Sequence, residues 1–200
     1  IIVIHDNKTL TQAKQLLQKY DNVLLSHYIT NPLLFKNRKC HIRTFFLVSI
    51  LHNQFNAYMC DLGRIFTAKK EYVQEDWNNT DIHDTHMKST DKDYFFPEDF
   101  NNTNLNRHDI NKDTIENIYS QIKNIFTAMA KIVSRDVKLY PNIKNGFNIF
   151  GVDLMITDKL EVILIECNAE GTYKSKEPGT HIKLEKYLFN WIDKVIFQKI

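Results

Sequence analysis

Several things are scarce in this 200-residue chain, and each shortage narrows what it can be. Cysteine is scarce: Cys40, Cys60 and Cys167 make three, an odd number with no CxxC pair. That argues against a zinc knuckle and leaves free, buried thiols in a reducing compartment as the expectation. Net charge is nearly absent. The balance of 26 Lys and Arg against 24 Asp and Glu gives +2, so composition makes no case for a nucleic-acid or membrane partner. No apolar run approaches the roughly 20 residues needed to cross a bilayer. There is no internal repeat and no signal-peptide pattern. An initiating Met is missing too. Ile1 opens directly on an apolar run, and the expectation is a piece of a longer protein, cut inside a fold. Arginine is sparse beside lysine, with much Asn and Ile, a skew that speaks to source and not to function.

What is present is ordinary for a globular protein: 43% hydrophobic and 25% charged residues, enough for one good-sized core or two small lobes. Residues 1–4 (IIVI) read as a buried strand. Asp6 or Thr9 can then cap a helix with Leu10, Ala13, Leu16, Leu17 and Tyr20 on one face. Residues 23–29 (VLLSHYI) read as a second strand, broken by Asn31-Pro32. Residues 42–51 and 54–60 are β-rich around His52-Asn53, a short hairpin turn, and residues 64–68 add another strand. Residues 72–112 form a long polar stretch, of the kind that is functional or disordered. Apolar spacings of three and four predict a helix over 113–135, with Asp113 and Glu116 as a capping box. Two strands follow, 147–157 and 160–167, and then a last amphipathic helix. The fold class is α+β with antiparallel sheet dominating.

The chemistry concentrates in the hairpin of residues 147–171. A two-residue turn at Asp158-Lys159 puts Asp153 opposite Leu164, with Glu166 a diagonal neighbour on the same face and Asn168 following at period two. Three oxygen-bearing side chains then converge among apolar neighbours. Two buried carboxylates call for a compensating cation, and oxygen donors suit Mg²⁺. The alternative is a wet hairpin edge on which both carboxylates are merely solvated.

The stretch FGVDLMITDKLEVILIECNAEG resembles the last strands of the tubulin–tyrosine ligase-like proteins, a branch of the ATP-grasp superfamily. YITNPLLFKNRKCHIRTFFLVS, beginning at Tyr28, is similar to a second family motif, and GRIFTAKKEY, beginning at Gly63, weakly matches a third. The resemblance spans nearly the whole chain in order. It implies an ATP-grasp C-terminal half: residues 1–30 as the end of a central lobe truncated at its N-terminus, residues 31–200 as the C-terminal lobe with a metal-binding hairpin. The N-terminal lobe and the Lys-bearing, Gly-rich segment that cover ATP in relatives are not in this sequence.

The resemblance further implies an ATP- and Mg²⁺-dependent ligase that joins a free amino acid to a protein acceptor, tubulin or a tubulin-like tail, through an acyl phosphate. Asp153, Glu166 and Asn168 would be the metal ligands, with Asp153 and Asn168 also contacting the nucleotide. Arg43 and Lys39 would supply positive charge for the reacting phosphate. The backbone of His27, Tyr28 and Ile29 would hold adenine, and Arg64 and His86 would complete the cofactor site. A monomer in the cytoplasm, associated with microtubules or cilia, with no nucleic-acid or membrane partner, is the corresponding expectation.

The chain departs from the family at three positions. His41 replaces an acidic residue, Phe66 stands where an Arg would align, and Ser89 replaces an Asn. Arg64, two residues before Phe66, shares its side of a strand and can substitute. These departures keep open a second expectation: an ATP-grasp pseudoenzyme, impaired in catalysis, that serves as a nucleotide- or protein-binding module. A ligase with a small-molecule acceptor is a third.

Overall fold

The computed structural model describes residues 3–85, 94–137, 145–169 and 182–197. The elements run α1 Asn7–Lys19, β1 Leu34–Phe35, β2 Arg38–Leu51, β3 Gln54–Met59, β4 Gly63–Thr67, α2 Thr80–His83, β5 Tyr94–Phe96, α3 Asn102–Leu105, α4 Lys112–Val137, β6 Gly146–Ile156, β7 Val162–Asn168 and α5 Ile182–Val195. Every strand pairing among the described residues is antiparallel, in one seven-stranded sheet whose spine is β5-β4-β2-β6-β7. The α+β expectation holds. No described helix is long and apolar enough to cross a membrane.

The 14-residue β2 is the axis of the sheet, pairing with β1, β3, β4 and β6. It can do so because apolar side chains point both ways from it. Ile42, Phe46 and Val48 join Val152, Leu154 and Ile156 under Ile118, Ile122 and Phe126 of α4. On the opposite face Phe45 packs with Cys60, Leu62 and Phe95 beneath Tyr187, Leu188 and Trp191 of α5. The two helices therefore cover opposite faces. α5 packs over Phe45, and two residues back along the strand, on that same side, stands Arg43.

Several local expectations shift. Among the described residues, neither 3–4 nor 23–29 forms a strand. A strand needs a partner ladder, and the second run finds none, so Leu24 and Leu25 remain 90% and 79% exposed. Helix α1 forms as expected, capped by Asp6, whose carboxylate accepts from the Thr9 backbone at 2.8 Å. Helix α4 is capped by Asn111 rather than Asp113: the Thr114 N–H donates to Asn111 Oδ1 at 2.9 Å. The polar stretch contains α2, β5 and α3. Cys40 and Cys60 are buried as expected, and burial pushes both thiols up to about 12; Cys167, on the edge strand, is exposed.

Gly63 opens β4 where the backbone presses onto β2. A Cβ there would come within 2.8 Å of Ile42 Cγ2 and 3.2 Å of the Arg43 carbonyl. The Ile42 methyl is branched and buried, so it has little room to move. Gly63→Ala is expected to destabilise the fold by about 1–3 kcal/mol, read as a lowered urea midpoint with unchanged m-value.

Candidate functional site

Strand register assembles the site. Arg43 of β2 pairs directly with Arg64 of β4 on one side and with Asp153 of β6 on the other, and Asp153 pairs with Glu166 of β7. Directly opposed residues share a face, so four charged side chains cross four strands in one row: Arg64, Arg43, Asp153, Glu166. Asn168 lies one step along β7 from Glu166 on that face, and its Nδ2 donates to Glu166 Oε1 at 2.9 Å.

The pairing of Asp153 is a correction. The sequence expectation placed it opposite Leu164. Two features move it. The turn is a three-residue loop, Asp158-Lys159-Leu160, closed by Thr157 N–H to Glu161 O at 2.9 Å, with Leu160 left-handed at φ 63°. Ile165 is then an extra residue on β7, a bulge between the pairs Asp153–Glu166 and Leu154–Leu164. Glu166 is consequently a direct partner of Asp153 and not a diagonal one. The tip is fastened to α4 by a side chain that carries no motif: Gln121 accepts from Val162 N–H and donates to the Leu160 carbonyl, both at 2.9 Å.

Asp153 is 1% exposed, and its counter-charge is Arg43. Arg43 Nε donates to Oδ1 at 2.7 Å and Nη2 to Oδ2 at 2.5 Å, a forked ion pair. The same Nη2 lies 3.8 Å from Glu166 Oε1, so the guanidinium sits between the two carboxylates. Glu166 is exposed and Asn168 half-buried, as edge-strand residues. No group of three or more His, Cys, Asp or Glu side chains gathers as a metal cage among the described residues. The donors that do gather are two carboxylates and an amide. That all-oxygen set fits a hard cation such as Mg²⁺, which takes its remaining ligands from phosphate oxygens and water.

Two departures noted in the sequence turn out to be one structural unit. His41 and Phe66 are direct cross-strand partners, stacked with ring centroids 4.9 Å apart and planes 4° from parallel. His41 is buried, with Nδ1 2.6 Å from Thr85 Oγ1 and Nε2 3.7 Å from Asp153 Oδ1. The guanidinium carbons of Arg64 and Arg43 lie 4.7 and 5.8 Å from the Phe66 ring centre.

Lys39 shares the odd-numbered face of β2 with His41 and Arg43. It is buried, and burial lowers its pKa to about 8, against smaller opposing effects of Cys40 and Asp84. Its ammonium donates to the Tyr28 hydroxyl at 3.0 Å and lies 4.1 Å above that ring. The Tyr28 side chain is therefore engaged by Lys39. Ile29 is half-buried and His27 exposed. His86 lies outside the described residues.

The sequence profile of the tubulin-tyrosine ligase family matches residues 1–193. Similar curated proteins include a probable tubulin–tyrosine ligase of Schizosaccharomyces pombe, 29% identical over 163 residues, covering 80% of this chain and 39% of that protein. A probable tubulin–tyrosine ligase of Saccharomyces cerevisiae is 28% identical over 166 residues, covering 76% of this chain and 21% of that protein. The chain thus spans well under half the length of these relatives.

The Arg43–Asp153 pair has a direct test. Arg43→Met strands a buried carboxylate and is expected to cost about 3 kcal/mol in urea unfolding at neutral pH. Adding Asp153→Leu, which removes the stranded charge, is expected to recover most of that loss. Additive losses in the double variant would show that the two side chains are not coupled.

Proposed function

The chain belongs to the tubulin-tyrosine ligase family, and on that premise we propose that it carries the metal- and phosphate-facing half of an ATP-dependent carboxylate–amine ligase. The reaction moves the γ-phosphoryl group of ATP onto a carboxylate, releasing ADP. An amine then displaces phosphate from the acyl phosphate, loses its proton and leaves an amide bond. The acceptor we propose is a protein tail of the tubulin type, and the second substrate a free amino acid.

The observation that supports this most is the charged row. Two carboxylates, Asp153 and Glu166, stand directly beside two guanidinium groups, Arg43 and Arg64, on one sheet face. Asp153, Glu166 and Asn168 would hold Mg²⁺, which supplies neutralising charge to the phosphates when bound. Arg43, whose Nε and Nη2 are held by Asp153, would turn its Nη1 donors to the transferring phosphoryl oxygens, and Arg64 would add a second guanidinium across the strand. Lys39 would bind anionic oxygen further along the same strand. Catalysis of this kind rests on positioning and on charge neutralisation by groups already in place.

A second reading has one specific observation behind it. The His41–Phe66 stack occupies positions where the family pattern has an acid and a base. Under this reading the protein binds nucleotide or protein and does not turn over.

The two part company in one set of measurements on the full-length protein. Calorimetry is expected to detect Mg²⁺–ATP, and ADP release is expected with tubulin and one of the candidate amino acids. Binding without turnover on any acceptor would favour the module, and absence of binding would remove both readings. Glu166→Gln is expected to weaken Mg²⁺-dependent nucleotide binding by at least about tenfold; unchanged affinity would overturn the ligand assignment.

A further inference from the structure

Lys39 is 6% exposed, yet no carboxylate forms an ion pair with it among the described residues. Its one hydrogen-bond acceptor there is a neutral phenol. A buried ammonium has three hydrogens to place, and leaving charge so thinly compensated is costly. Such a group is stable only if something holds it, and useful only if what holds it leaves donors over.

The holding is done by a hydrogen-bond chain whose direction is fixed from its far end. His83 Nε2 lies 2.9 Å from the Asp76 carbonyl oxygen. A carbonyl only accepts, so Nε2 carries the ring hydrogen. In the neutral ring Nδ1, 2.7 Å from the Tyr28 hydroxyl, is then the acceptor of the Tyr28 hydrogen, and the Tyr72 hydroxyl is a further hydrogen-bond partner of Tyr28. The Tyr28 lone pairs are left for Lys39. The order is Lys39 Nζ–H to Tyr28 Oη–H to His83 Nδ1, and His83 Nε2–H to the backbone.

The rings hold the imidazole in place. His83 stacks on Trp77 at 5.7 Å and 10°. Tyr28 meets both rings edge-on, at 5.7 and 5.4 Å, and Tyr72 meets His83 edge-on at 5.8 Å. His5 lies against Trp77 at 5.9 Å. Moving the imidazole out of its place would break three ring contacts and two hydrogen bonds together.

We propose that Tyr28, through its hydroxyl, and His83 are positioning residues that hold Lys39 charged and aimed along the functional face, where it meets an anionic group of a phosphate-bearing ligand. Lys39 is four residues from Arg43 on the same side of β2, about 13 Å at strand rise, a span that a nucleoside triphosphate can bridge. This deepens the nucleotide reading above and rests on it.

Burial lowers the Lys39 pKa to about 8. The charge is present at neutral pH and is lost as pH rises through that value, so anion affinity falls in the same interval. The groups facing the ammonium are Cys40 beside it on β2, the Tyr28 and Tyr72 hydroxyls before β1 and after β4, and His83 and Asp84 at the end of α2. Removing the Tyr28 oxygen takes away an acceptor for the charged form, so the Lys39 midpoint moves lower.

The test uses the full-length protein, its Tyr28→Phe variant, which keeps the ring, and His83→Phe, which keeps the stack on Trp77 and loses Nδ1. Mg²⁺–ADP affinity is measured by calorimetry from pH 6.5 to 9.5, and Lys39 titration by competitive acetylation read by mass spectrometry. Tyr28→Phe is expected to weaken nucleotide binding about tenfold at pH 7.5 and to lower the Lys39 midpoint. His83→Phe is expected to move both the same way, about threefold in affinity. Wild-type midpoints in both variants would overturn the inference, whatever the binding data say. A wild type that binds no nucleotide at any pH would remove the nucleotide reading, and the acetylation midpoints would still decide whether the chain of hydrogen bonds holds Lys39.

Discussion

A carboxylate buried in the middle of a β-sheet is the constraint around which this molecule is arranged. Asp153 is 1% exposed, on a strand whose other face is committed to the core under α4. Left alone it would abandon its charge or open the sheet. The Arg43 fork satisfies both its oxygens, and it can do so because β2 and β6 are in a register that sets the two residues directly opposite. Register and charge pairing enforce one another. Slipping β2 by one residue would turn Arg43 into the core beside Val152, and slipping β6 would turn Asp153 there, each away from its counter-ion.

The neighbours of that pair follow from it. Two arginines opposed on β2 and β4 would repel if they stood alone. With Asp153 and Glu166 beyond them the row is balanced, and the Phe66 ring lies against both guanidinium groups. The bulge at Ile165 completes the arrangement by drawing Glu166 level with Asp153. On this face α5 packs at Phe45, and beyond it Glu166 is exposed and Arg43 partly so. One sheet thus carries a sealed core on one side and, on the other, a packed end continuous with a charged end.

The parts legible in the sequence are those set by local pattern. The β2–β3 hairpin, with its turn at His52-Asn53, and the periodic α4 and α5 all announce themselves through alternation or spacing, and so does the convergence of Asp153, Glu166 and Asn168 on one face. What escaped depends on long-range partners. The apolar run at 23–29 looks like a strand in every local respect and lacks only a ladder to join. The bulge at Ile165 and the left-handed Leu160 have no Gly or Asn to mark them. Gln121 and His83 are polar residues with unremarkable neighbours in the chain, and their roles arise from segments about 40 and 55 residues away.

The most instructive case is the pair that looked like two defects. Read along the chain, His41 in place of an acid and Phe66 in place of an arginine are separate losses, each damaging to a charged site. Across the strands they face one another and stack, with His41 Nδ1 tied to Thr85. As two stacked rings, the pair leaves neither a carboxylate nor a guanidinium without a counter-charge at these positions. Arg64, one row away on the same face, keeps a guanidinium beside Arg43. The ion-paired row holds the sheet in register, and the stacked pair lies against it, Phe66 on both guanidinium groups and His41 beside Asp153.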